Sequence, residues 1–171
     1  ELLPPDIAGD VLRYVREFEG RERKANVVIS GPVGAGKTST SAHVVAELRK
    51  DAHLVPAADL FDGLQKQIDS DLRTVDILIV DDLGTEIVTP VSLQNWHRIV
   101  DERYDRGLAT IVTTNVEDVD SLFQDERTRS RFMARCEVWR TPRKDVRRWM
   151  AERDERARRE AAVDAADGDA G

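Results

Sequence analysis

Apolar residues fall along this chain in two different rhythms. Val27-Val28-Ile29, the stretch from Val75 to Val80, and Ile111-Val112 within residues 109–115 are continuous runs, the pattern of strands buried on both faces. Shorter runs at 53–55 and 136–139 add two more expected strands. Between them apolar positions recur at helical spacing. Ile7, Val11, Tyr14, Val15 and Phe18 predict a helix from Asp6 to Gly20. Ala42, Val44, Val45 and Leu48 mark the core side of a second, running to about Lys50. A third is expected from Pro56 to about Ile68 through Leu60, Phe61, Leu64 and Ile68. Thr89-Pro90 carries start signals and Gly107 a stop signal, so residues 90–106 are expected as a long helix burying Leu93, Trp96, Val100 and Tyr104. Trp96 and Tyr104 are therefore read as packing residues. Residues 118–123 suggest a short helix, and Val146, Trp149 and Met150 a last one over 143–160.

Strand and helix alternate, which predicts an α/β fold: five strands in a mostly parallel sheet with helices on both faces. A chain of 171 residues holds one such domain with a sizeable core. We read residues 1–5 as an irregular lead-in, 6–140 as the core domain, 141–160 as a charged helix and 161–171 as a disordered acidic tail.

The chemistry begins where the first strand ends. Gly31-Pro32-Val33-Gly34-Ala35-Gly36-Lys37-Thr38, followed by Ser39, matches the phosphate-loop pattern between a strand and a helix. Glycines let successive N–H groups turn toward phosphate oxygens, and the next helix adds its positive end. Lys37 would reach the β- and γ-phosphates of ATP, and Thr38 would hold Mg²⁺. The run ending at Val80 delivers Asp81 and Asp82 to the sheet edge where ligands bind in open α/β folds. Asp81 is expected to act on Mg²⁺ and Asp82 to orient or deprotonate the attacking water. Asn115, at the tip of another strand, offers an uncharged amide to the γ-phosphate or that water.

Charge and cysteine content narrow the classes. A net charge of −7 argues against a surface coated with DNA-binding charge, while leaving room for a local basic groove. Lone Cys136 excludes an internal disulfide and reads as a core thiol, and three scattered histidines lack metal spacing. No apolar run nears the ~20 residues that span a bilayer, and no signal peptide is evident, so a cytoplasmic protein is expected.

These phrases together resemble a known group. Gly31 to Thr38, Ile77 to Glu86 with its Asp-Asp-Leu-Gly-Thr-Glu, and Glu102-Arg103-Tyr104 leading to Thr113-Thr114-Asn115 are similar to the AAA+ ATPases of the DnaC helicase-loader and IstB transposition-helper group. The resemblance covers roughly residues 10–140. It implies that Lys37 and Thr38 are the Walker A pair, Asp81 and Asp82 the Walker B acids, and Asn115 the sensor-1 residue. Ser130-Arg131-Phe132 looks like box VII, making Arg131 the candidate arginine finger for a neighbouring subunit, with Arg129 the alternative. A sensor-2 arginine would be Arg143 or Arg147. The helical lid of larger relatives is expected to be missing or reduced to one helix, and the partner-gripping domain of such loaders is not expected in this sequence, which reads either as a short protein or as an ATPase module. The implied function is an ATPase that self-associates into a ring or spiral and loads a replicative helicase onto single-stranded DNA. Delivery of a transposase is the alternative. A small P-loop phosphotransferase and a non-hydrolysing ATP switch are further competitors.

Overall fold

All five strands run parallel, because each returns to the sheet through a helix-bearing crossover. The computed structural model describes residues 5–61, 69–84, 89–141 and 155. In chain order the elements are α1 (Pro5–Phe18), β1 (Asn26–Ser30), α2 (Lys37–Leu48), β2 (Ala52–Pro56), α3 (Ala57–Phe61), α4 (Asp69–Thr74), β3 (Ile77–Asp81), α5 (Pro90–Arg106), β4 (Ala109–Thr114), a 3₁₀ turn (Val119–Leu122), α6 (Glu126–Met133) and β5 (Cys136–Arg140). The strand order is β2-β3-β4-β1-β5. β4 thus lies between the strand that ends in the phosphate loop and the strand that ends in the acids.

Alternation along the strands divides the core in two. Val28, Leu78, Val80 and Val112 face one layer, with α3, α5 and α6 supplying Phe61, Trp96, Ile99 and Phe132. Val27, Ile29, Ile77, Ile79 and Ile111 face the other, where α1 and α2 supply Ile7, Val11, Tyr14 and Val44. Each fully buried aliphatic side chain here contributes about 1.5–3 kcal/mol, so continuous apolar runs were the right sign of strands covered on both faces.

Several boundaries differ from expectation, each for a local reason. Pro56 closes β2 instead of opening a helix; β2 is an edge strand, and a missing N–H is tolerated there. The helix that follows begins at Ala57 and is described to Phe61, while Leu64 and Ile68 lie outside the described residues. α4 and α6 were not anticipated as helices. α6 is started by Asp125, whose carboxylate accepts from Thr128 N–H at 2.6 Å. α1 begins at Pro5, one residue early, since the first helical turn has no use for the missing N–H. In α2, Ala42 is exposed and Thr40 and Ser41 are buried instead, their hydroxyls satisfied by Gly36 and Thr38 carbonyls. α5 spans the expected residues, but its buried stripe is Ser92, Trp96, Ile99, Val100 and Arg103; Leu93 and Tyr104 are half-buried. Cys136 packs beside the core, and burial pushes its thiol up to about 12, consistent with an inert group. The expected helix over 143–160, with Arg143 and Arg147, and the acidic tail lie outside the described residues, apart from residue 155, which is helical.

Candidate functional site

Parallel strands bring their C-terminal ends to one edge, and the candidate residues converge there because β1, β4 and β3 are neighbours. The phosphate loop leaves β1 at Ser30 and turns on Gly34 and Gly36, whose φ values of 80° and 79° lie in the left-handed region. Gly36 caps α2, so Lys37 is the first residue of that helix. Gly31 is required for a second reason: a Cβ there would sit 1.7 Å from Thr141 Oγ1. Ala35 is fully buried beneath the loop, whereas Val33 is 74% exposed. A cleft of about 230 Å³ lies between loop and acids, with residues 33–39, Asp81, Asp82, Thr113 and Asn115 on its walls.

Hydrogen bonds tie these side chains together. Lys37 Nζ donates to the carbonyls of Gly31 and Pro32, both at 2.9 Å, and to Asn115 Oδ1 at 2.6 Å. Asn115 Nδ2 donates in turn to Asp82 Oδ1 at 2.8 Å. Thr38 Oγ1 donates to Asp81 Oδ1 at 2.8 Å, and Thr113 Oγ1 donates to the same oxygen at 2.6 Å. The Asn115 amide is thus a neutral bridge between a cation and an acid. Thr38 and Asp81 present hard oxygens from two elements, the donor set that suits Mg²⁺ together with phosphate and water oxygens. Among the described residues, no cluster of three or more His, Cys, Asp or Glu is arranged to hold a metal by itself.

Arg131 is not brought to this cleft. It lies on α6, forms an ion pair with Asp101 of α5 and stacks over Tyr104, 5.9 Å from the ring centroid. Tyr104 is also faced by Arg23 and Arg135, at 5.8 and 4.8 Å. These contacts sit near the starts of β1, β4 and β5, the edge opposite the phosphate loop; Arg135 O accepts from Asn26 N–H there. Arg129 approaches Asp120 at 3.7 Å and is likewise absent from the cleft.

Two residues escaped the sequence reading. Thr113 touches both acids, since its Oγ1 also accepts from Asp82 N–H at 2.9 Å. Arg103 is 2% exposed and faces carbonyls rather than a carboxylate. Its guanidinium donates to Leu72 O, Val75 O, Asp76 O, Ala109 O and Thr110 Oγ1. Burial pulls its pKa down to about 10, so it stays charged at neutral pH. A polar residue inside an otherwise apolar stripe was the available signal for each, because such groups are buried only with partners.

Comparison with known proteins agrees with this fold. The family model described as Novel STAND NTPase 3 matches residues 16–115. The replicative helicase loader DnaC of Escherichia coli (strain K12) is 26% identical over 142 residues, covering 74% of this chain and 57% of DnaC. The chain therefore spans a little over half the length of the curated relatives it matches. Among solved structures, a DnaC helicase loader superimposes with a TM-score of 0.66 at 18% identity, covering 82% of this chain and 93% of that one. DnaI gives 0.70 at 21% identity, covering 82% and 87%. AMPPCP-bound DnaA from Aquifex aeolicus gives 0.65 at 16% identity, covering 90% and 52%. With the phosphate loop and the paired acids at the ends of two strands that flank β4, the chain belongs to the Novel STAND NTPase 3 family and is built on the AAA+ P-loop fold.

Proposed function

We propose that this chain is an ATP-binding and ATP-hydrolysing module that associates with copies of itself and helps load a replicative DNA helicase onto single-stranded DNA in the cytoplasm. The observation that carries the reading is the hydrogen-bonded path from Lys37 through Asn115 to Asp82, which joins a phosphate-binding cation to an acid suited to ordering water. Likeness to DnaC supports the helicase as cargo.

In this reading the loop N–H groups and Lys37 bind the phosphates, with the α2 N-terminus adding its partial positive charge. Thr38 and Asp81 would hold Mg²⁺, which would supply charge neutralisation on the phosphate oxygens when bound. Asp82 accepts a proton from the attacking water or orients it, and Asn115 fixes that water's place without adding negative charge. Arg131, out of reach of its own cleft, serves the cleft of a neighbouring copy, where a guanidinium stabilises charge developing on the γ-phosphate. DNA contacts through scattered Lys and Arg residues would be salt-sensitive and largely indifferent to sequence.

Phosphate release measured with and without single-stranded DNA tests the enzyme, and affinity capture from the native cell in ATP tests the cargo. We expect Mg²⁺-dependent hydrolysis stimulated by single-stranded DNA, and recovery of a hexameric helicase. Transfer of phosphate to a small acceptor, or tight ATP binding with no turnover, overturns the ATPase. A captured transposase overturns the helicase assignment.

A further inference from the structure

Thr113 lies in β4, buried to 1% exposure, with its hydroxyl between the two acids. A hydroxyl has one hydrogen to give. Because Thr113 Oγ1 receives the Asp82 N–H at 2.9 Å, that hydrogen is left for Asp81 Oδ1 at 2.6 Å, and the bond direction is fixed. Of the two hydroxyls on Asp81 Oδ1, Thr38 is exposed and is itself a candidate cation ligand, whereas Thr113 is buried and held. The backbone of Asp82 also needs holding. Its φ of 61° is a left-handed conformation that costs a non-glycine residue free energy unless neighbours enforce it. The next residue is clamped to the same strand: Leu83 N–H donates to Thr113 O at 2.9 Å, and Leu83 O accepts from Thr114 Oγ1 at 2.6 Å.

We propose that Thr113 is a positioning residue for both acids, its single hydroxyl fixing the Asp81 carboxylate for Mg²⁺ and the Asp82 backbone for its task on water. This rests on the ATPase reading above. Residues that orient a metal-binding carboxylate typically change metal affinity about 10- to 100-fold when removed.

The test uses Thr113→Val, which keeps the shape and deletes the hydroxyl, and follows binding of N-methylanthraniloyl-ATP to the full chain as Mg²⁺ is titrated. We expect the Mg²⁺ midpoint to rise about tenfold or more, and Thr113→Ser to restore it. Thr110→Val is the control: it removes a hydroxyl from the same strand that faces Arg103, at 3.0 Å, and should lower the melting temperature without moving the midpoint. Should Thr113→Val fail to fold, Thr113→Cys keeps the size with a weaker donor, and a smaller rise in the same direction is expected. An unchanged midpoint in Thr113→Val, or in Thr113→Cys where Val does not fold, with the analogue still bound, or an equal shift in Thr110→Val, overturns the assignment alone. A wild-type chain that does not bind the analogue overturns the ATPase reading with it.

Discussion

Asp82 combines a left-handed backbone with a carboxylate held by Asn115, so its two roles can be separated by substitution. Asparagine tolerates φ > 0 nearly as well as any non-glycine residue and is the same size. Asp82→Asn should therefore leave nucleotide binding intact while lowering single-turnover phosphate release by about a hundredfold or more, the usual loss of a general base. Equal loss in binding and turnover would show instead that the acid holds the site together. Lys37, Thr38, Asp81 and Asn115 were legible in the sequence because each stands at a fixed position after a recognisable strand. Thr113 was not. Its partner Asp82 is 31 residues away, and which acid a strand hydroxyl meets depends on which strand pairs beside it.

At the level of elements, α5 shows how far local signals reach. Thr89 and Ser92 form its capping box, Gly107 ends it at φ 70°, and both ends were readable. Its buried face was readable in part: Trp96 and Val100 are buried as expected, whereas an arginine occupies a core position. Arg103 gathers carbonyls from the end of α4, the lead into β3 and the start of β4, groups that regular hydrogen bonding leaves over. Arg103→Met strands these acceptors in a dry interior and should cost about 3 kcal/mol, a fall of about 6–12 °C in melting temperature by calorimetry. Arg103→Lys should recover little of it, since one ammonium cannot span acceptors that a planar guanidinium reaches. A melting temperature within a degree of wild type would mean that water replaces the guanidinium. α4 was illegible for a related reason. Its C-terminal end is held by Arg103, an interaction distant in sequence.

At the scale of the molecule, the sheet order separates two sets of residues that the sequence presents together. Lys37, Asp82 and Asn115 lie at one edge; Arg131, tied to Asp101 and Tyr104, lies toward the other. If the two sets act on one nucleotide they must come from different copies. Lys37→Ala and Arg131→Ala proteins should each hydrolyse ATP poorly alone, and mixing them should restore part of the activity through interfaces that pair an intact cleft with an intact arginine. Full DNA-stimulated turnover by Arg131→Ala alone would sink that role. No described helix is long and apolar enough to cross a membrane. Of the strands that join the two edges, β4 is the central one. β4 is buried along its whole length, paired on both sides, gripped at its start by Arg103 and ending in the threonines beside Asn115. Six residues of extended chain span about 20 Å and have no slack to take up. Mechanically β4 is a strut: Arg103 of α5 holds one end, Asn115 follows the other, and no hinge lies between them.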